Sequence, residues 1–173
     1  MKLIDTIYER DFRETEEPTD RSNYYHRRAA RAVLLDREGR VFLMYVGLHS
    51  YHKLPGGGIQ KGEDVKQALA RELMEEVGCE AEILSEVGEI VEYRDFEKMK
   101  QTSYCYVARQ IGEKVSNSLE EDELANQMTE LKADSIDEAI RLADADTPDN
   151  IEGRFIRRRD TGFLRKAQLL LQS

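Results

Sequence analysis

One stretch constrains this chain more than any other: Gly57 to Cys79, which reads GGIQKGEDVKQALARELMEEVGC. It is approached through Leu54-Pro55-Gly56-Gly57-Gly58, and successive positions without side chains let backbone come close to a ligand. Asp64 is a suitable N-cap and Gly78 a suitable stop, so the spacing predicts a helix from about Val65 to Val77. At roughly 100° per residue, Glu72, Glu75 and Glu76 share one face of that helix. Leu69, Ala70, Leu73 and Val77 lie on the adjacent arc and can enter a core. Carboxylates at i,i+4 repel one another. Arg71 relieves part of that repulsion, and Mg²⁺ or Mn²⁺ would relieve more, because hard divalent cations favour carboxylate and carbonyl oxygen. The bland alternative is a solvated acidic helix face.

The complete spacing is far more specific than the glutamates alone. Gly57, Glu63, Arg71-Glu72-Leu73, Glu75-Glu76 and Gly78-Cys79 resemble the Nudix box, G-x5-E-x7-R-E-U-x-E-E-x-G-U with U aliphatic. Cys79 stands in for the last aliphatic residue, a mild departure. The resemblance covers 23 of 173 residues and implies an α/β fold, an α/β/α sandwich with a mixed β-sheet. It also implies a Mg²⁺- or Mn²⁺-dependent pyrophosphohydrolase acting on a small molecule, a nucleoside diphosphate linked to another moiety. Glu72 and Glu76 are then the metal ligands, with Glu75 shared between metal binding and water activation. Arg71 would orient the carboxylates by bidentate pairing, and Glu63 would brace the loop–helix junction or join the metal site. Gly56, Gly57 and Gly58 would admit phosphate, Gly56 could add a carbonyl ligand, and Lys53 is a candidate phosphate contact. Members of the family often carry a Trp three residues before the Pro; here that position is His52, which the sequence reads as a solvated loop residue or a ligand contact.

The composition narrows the remaining classes. A net charge of −9, with 40% apolar and 35% charged residues, disfavours nucleic acid and anionic membrane as partners. Cys79 and Cys105 make neither a disulfide framework nor a zinc spacing; both sit in apolar surroundings and read as buried free thiols. The N-terminus MKLIDTIYERD has no uncharged apolar run, and no stretch is long enough to span a bilayer, so a cytoplasmic protein is expected. A homodimer is expected only on base rates.

In chain order, residues 1–173 are expected to form one domain, with 1–24 an N-terminal strand and arm and 152–173 a C-terminal helical segment. Leu3 to Tyr8 reads as a strand and Glu9 to Asn23 as a polar arm. Ala29–Leu35 and Val41–Val46 are apolar runs flanking Asp36-Arg37-Glu38-Gly39-Arg40, a hairpin signal. Ala81–Tyr93 and Gln101–Ala108 carry strand patterning. Gly112 to Asn126 reads as a loop in which Glu120, Glu121 or Glu123 could supply a metal ligand or general base, as some family members draw one from outside the box. Met128–Lys132 reads as a last strand, and Ser135–Ala145 as a helix with a Ser135–Glu138 capping box. From Arg154 onward basic residues dominate, and the segment reads as an amphipathic helix or helix pair. In the alternative, one or two of its arginines reach an anionic substrate or a second subunit. An isomerase-like member would need a catalytic Cys beside His ligands, and neither Cys lies in such a motif. Two rivals remain, a catalytically silent nucleotide-binding module and an RNA 5′-pyrophosphohydrolase, the latter kept alive by the basic C-terminal segment.

Overall fold

The computed structural model describes residues 1–18 and 20–172; Thr19, within the expected arm, and Ser173, the last residue of the expected C-terminal segment, lie outside the described residues. The strands are β1 (Leu3–Tyr8), β2 (Tyr25–Leu35), β3 (Val41–Val46), β4 (Tyr51–Lys53), β5 (Glu80–Arg94), β6 (Met99–Ile111) and β7 (Met128–Ala133). The helices are α1 (Val65–Glu76), α2 (Glu121–Ala125), α3 (Ile136–Ala145) and α4 (Ile151–Leu171). One sheet runs in the order β1-β5-β6-β2-β3-β4, with β7 also paired to β3. It is mixed: β1 runs parallel to β5 and β2 parallel to β6, while β5 and β6 are antiparallel.

The central strands are apolar on both faces because both faces are covered, as buried sheets require. Along β2 and β3, Val33, Leu35, Val41 and Leu43 join Phe155, Phe163 and Leu164 of α4 and Ala139 and Ala143 of α3 in one core. The alternate residues Ala32, Leu34, Phe42 and Met44 meet Leu69 and Leu73 of α1 and, just past its end, Val77 in the other. The period of two along a strand sorts the residues between the layers, and the result is the expected α/β/α sandwich. Phe155 and Phe163 are fully buried, and truncating either would cost about 3–5 kcal/mol.

The hairpin between β2 and β3 is narrower than its pattern suggested. Their register contains only Leu35↔Val41, because the rest of that edge of β2 is taken by the glycine segment. Ala32 N donates to Pro55 O (3.1 Å), Ala30 N to Gly57 O (2.9 Å) and Ile59 N to Arg28 O (2.9 Å). Backbone pressed on backbone explains Gly56: its φ is +124°, and a Cβ would sit 3.0 Å from Arg31 Cα and closer still to the carbonyl oxygen of Ala30.

Other boundaries shifted slightly. Asp64 caps α1 by accepting from Lys66 N and Gln67 N, and the helix ends at Glu76 with Val77 as C-cap. The segment expected as loop from Gly112 to Asn126 contains α2. The segment around His52, a residue read as lying in a loop, holds a 3₁₀ turn (Gly47–His49) and β4. At α3, Ser135 Oγ accepts from Glu138 N at 3.1 Å, but the Glu138 carboxylate accepts from Asp134 N rather than closing the box on Ser135. The basic C-terminal segment is a single helix capped by Asn150, whose Oδ1 accepts from Gly153 N at 2.8 Å. Cys79 and Cys105 are buried free thiols, as expected. Among the described residues no helix is long and apolar enough to cross a membrane.

Candidate active site

The glycine segment and α1 meet through carboxylates. Glu76 is 1% exposed; its Oε2 accepts from Gly56 N at 2.6 Å. Its Oε1 lies 2.9 Å from Lys53 Nζ yet has no donor in hydrogen-bond geometry among the described residues, so the pair is a charge contact with acceptor capacity to spare. Glu72 stands directly over Gly57, where an added Cβ would lie 2.5 Å from its Cδ and closer still to both oxygens. Gly57 is therefore glycine because a carboxylate occupies the space of its side chain.

Arg71 is the hub that aims this set. Its Nε donates to Glu63 Oε1 (2.8 Å), Nη1 to Glu72 Oε1 and Glu75 Oε2 (2.9 Å each), and Nη2 to Gly58 O (2.9 Å). The hydrogen bond to Glu63 above all holds the guanidinium charged. Glu63, accepting also from Gln60 N at 2.9 Å, braces the loop–helix junction, and Arg71 holds its carboxyl below the usual range. Burial, and then the neighbouring Glu76, raise the Glu72 carboxyl, with Arg71 opposing them.

These groups open onto a cavity of about 580 Å³ whose lining includes Arg27, Arg31, Lys53, Glu72, Glu76 and Glu123. Of the three acidic candidates beyond the box, Glu120 and Glu123 line it and Glu121 does not. Glu123 Oε1 lies 3.9 Å from Lys53 Nζ, and burial, helped by Glu76, pushes its carboxyl up to about 7. Lys53, read as a phosphate contact, thus stands between two carboxylates. Glu75, half-exposed, faces Arg71 rather than the cavity.

His52 is a correction: neither solvated nor facing ligand, it shares a 2.8 Å hydrogen bond through Nδ1 with Asp146 Oδ1, while its N–H donates to Asp146 Oδ2 at 2.6 Å. β4 pairing with β3 turns it there. Most C-terminal arginines serve packing: Arg157 donates to the carbonyls of Ala143 and Asp144, and Arg158 pairs with Asp5 and Asp11. Arg159 is the exception, since it lines the cavity.

Three further groups escaped the sequence reading, and a fourth, Arg159, entered it only as one of several C-terminal arginines. Asp160 Oδ2 accepts from Leu54 N at 2.8 Å, tying α4 to the start of the glycine segment. Arg159, 1% exposed, donates to Asp160 Oδ1 at 2.7 Å and to Glu92 Oε2 at 3.4 Å. Burial opposes that charge, but Asp160 and Glu92 more than offset it. Arg27 and Arg31 are the remaining two. The available signal was Arg31 itself, a lone charge inside the run Ala29–Leu35.

Whether a divalent cation fits can be judged from the donors. Glu72, Glu76 and Glu123 offer hard oxygen, one of them with an orphaned buried atom, and burial, with Glu76 adding to it, raises Glu72 and Glu123. That chemistry fits Mg²⁺ or Mn²⁺. Among the described residues no three acidic, His or Cys side chains already converge on one point.

The fold has counterparts among known proteins. The family model described as NUDIX domain matches residues 25–154. A protein named RNA pyrophosphohydrolase from Wolbachia pipientis is 34% identical over 84 residues, 47% of this chain and 51% of that protein. One of the same name from Campylobacter jejuni is 47% identical over 55 residues, 31% of this chain and 35% of that protein. The chain thus spans about half the length, or less, of these curated relatives. A NUDIX hydrolase from Nitrosomonas europaea superposes with a TM-score of 0.60 at 14% identity, covering 84% of this chain and 90% of that one.

Proposed function

This chain belongs to the NUDIX family, and from that premise we propose that it is a divalent-metal-dependent pyrophosphohydrolase cleaving a nucleoside diphosphate linked to another moiety. The observation that carries the reading is the pair Glu72 and Glu76, held over Gly57 and on Gly56 N at the wall of a polar cavity. Glu72 and Glu76 would hold Mg²⁺ or Mn²⁺, with Glu123 the best-placed further donor. When bound, such an ion supplies Lewis acidity, a lowered pKa for water and charge neutralisation on phosphate oxygen.

The chain's own residues perform the positioning. Arg71 keeps Glu72 and Glu75 apart and aimed, so that their repulsion is absorbed without moving them. Glu75 accepts from Arg71 through Oε2, which leaves its other oxygen to take a proton from water at the edge of the cavity. Glu63 locks the loop against the helix. Gly56, Gly57 and Gly58 leave the wall bare, which lets phosphate approach the carboxylates. Lys53, held by Glu76 and Glu123, can swing its ammonium from carboxylate to phosphate oxygen.

The test is incubation with Mg²⁺ or Mn²⁺ and a panel of intact substrates, products resolved by chromatography. The panel holds nucleoside triphosphates, ADP-ribose, nucleotide sugars, dinucleoside polyphosphates and 5′-triphosphate RNA, the last included because of the names of the relatives. Metal-dependent release of a nucleotide product, reduced by orders of magnitude in Glu76→Gln with an unchanged circular dichroism spectrum, is expected. No turnover of any substrate by folded, metal-loaded protein would overturn the reading in favour of a binding module.

A further inference from the structure

Among the described residues the cavity is lined by four arginines and one lysine, in three different states of compensation. Arg94 is paired with Glu92 (3.0 Å) and Glu152 (3.4 Å), and Arg159 with Asp160 and Glu92. Lys53 stands between Glu76 and Glu123. Arg27 and Arg31 have no carboxylate within ion-pair distance among the described residues. Arg27 donates to the neutral Gln101 Oε1, and its Nη2 would lie 3.4 Å from a Cβ on Gly58, so it flanks the glycine segment.

Arg31 is the more extreme case. It is 5% exposed, and its buried Nε and Nη1 have no hydrogen-bond partner among the described residues. Its potential partners are committed elsewhere: Asp160 to Arg159 and Leu54 N, and Glu76 to Gly56 N and Lys53. Burial, with Arg159 adding to it and Asp160 and Glu76 opposing only in part, pushes the Arg31 guanidinium down to about 10, still charged at neutral pH. Burial and the repulsion of Arg159 and Arg94 lower Arg27 as well. A buried cation left uncompensated is strongly unfavourable, and buried polar atoms without partners are rare. Both features are accounted for if an anion completes the site.

Residues 27 and 31 are four apart on β2, so they project from the same face of the strand. Arg31 is the deeper of the two, beside the backbone of Gly56. That floor is guanidinium, carboxamide and bare backbone, with Gln101 and Arg159 alongside. Guanidinium and carboxamide donors suit phosphate oxygen, whereas a base would meet Val46, Tyr51, Met99, Met128 or Ile156, which also line the cavity. Tyr25, which also lines the cavity, is 68% exposed and lies at the rim.

We infer that Arg31, assisted by Arg27, is an anion subsite for an unesterified terminal phosphate, so that the substrate enters phosphate-first with its nucleoside toward Tyr25. The inference deepens the proposed function and rests on it for the phosphoanhydride nature of the substrate. It makes Arg31 a specificity-determining residue, favouring substrates with a free polyphosphate end over those esterified at both ends. A nucleoside triphosphate and the 5′-triphosphate end of an RNA share that chemistry.

The test uses Arg31→Met and Arg31→Lys in the full chain with Mg²⁺ present. Imidodiphosphate, which resists hydrolysis, is titrated calorimetrically, and thermal unfolding of the free protein is followed in parallel. Arg31→Met is expected to weaken imidodiphosphate binding about tenfold to a hundredfold, as for loss of charged hydrogen bonds. Its melting temperature should hold or rise, since an unpaired buried charge is removed. Arg31→Lys should bind with intermediate affinity, because it keeps the charge and loses the fork. In turnover, Arg31→Met should lower kcat/KM at least tenfold for nucleoside triphosphate or 5′-triphosphate oligonucleotide, and less than threefold for ADP-ribose and dinucleoside polyphosphates. Comparing the first two separates the nucleotide source from the RNA source.

Unchanged imidodiphosphate affinity in Arg31→Met would overturn the subsite, as would a lowered melting temperature restored by Arg31→Lys, which marks a structural cation. Should Arg31→Met not fold, the subsite falls if Arg31→Lys binds as tightly as wild type. Arg31-dependent binding without turnover of any substrate would support the subsite and overturn the hydrolase reading; turnover with Arg31-independent binding would do the reverse.

Discussion

Gly57→Ala separates the architecture of the site from the stability of the fold. Gly57 does not have a positive φ, so its backbone accepts alanine. The obstacle is Glu72: the new Cβ would lie 2.5 Å from its Cδ, and ordinary contact begins near 3.4 Å. The carboxylate must therefore retreat by about 1 Å, and as the end of a flexible side chain it can do so, dragging on Arg71 Nη1 at 2.9 Å. Misplacement by that much at a reacting centre costs roughly a hundredfold in rate. The fold should lose less than about 1 kcal/mol, some 2–4 °C in melting temperature for a chain of this size. Gly56→Ala is the contrast. There φ is +124° and the new atom meets backbone of Ala30 and Arg31, which cannot step aside; strain alone adds roughly 1–3 kcal/mol. Steady-state hydrolysis of the panel substrate that turns over, and thermal melts of both variants, decide the matter. Gly57→Ala retaining at least half the wild-type kcat, or melting as low as Gly56→Ala, would refute the claim that this glycine exists to seat Glu72.

The other expectations address the frame around the site. Asp160→Asn removes the charge opposite the buried Arg159 guanidinium and should cost about 3–5 kcal/mol in urea unfolding; a loss below 1 kcal/mol would mean Glu92 suffices. His52→Gln loosens the contact with Asp146 and should cost about 1 kcal/mol while leaving kcat/KM within threefold, whereas a tenfold fall would place His52 in the site after all. Asp36 is held at about 2: burial raises it, but hydrogen bonds from Arg40 N, Lys132 and the Arg40 side chain outweigh that. With a folded value below the unfolded one, its contribution of at most about 2 kcal/mol is complete above pH 3.8 and disappears as pH falls toward 2. Asp36→Asn should therefore be less stable at neutral pH and lose less on acidification from 4 to 2, and parallel stability–pH curves would contradict this.

The helix of the glutamates was legible because its determinants are local. Asp64, the spacing of Leu69, Leu73 and Val77, and Gly78 act within a few residues, and capping and periodicity need no knowledge of the rest of the chain. Strand identity was legible for the same reason, through the alternation that divides Val33 and Leu35 from Ala32 and Leu34. Pairing was less so: nothing in the run Val41–Val46 reveals that Pro55 to Ile59 occupies the edge of β2 it would otherwise have filled. Of Glu120, Glu121 and Glu123 beyond the box, only the fold of α2 decides that Glu123 approaches Lys53.

Sequence alone therefore determined the family and the positions of Arg71, Glu72, Glu75 and Glu76, since one helix carries them at fixed spacing. Tertiary structure decided the rest of the cavity. Arg31 and Arg27 come from β2, Glu92 from β5, Glu123 from α2 and Arg159 and Asp160 from α4, segments separated by up to 133 positions. Charge compensation among groups so far apart in the chain depends on distances that only packing sets. A one-dimensional reading shows an arginine at position 31; the folded protein shows that, among the described residues, no carboxylate comes within ion-pair distance of it.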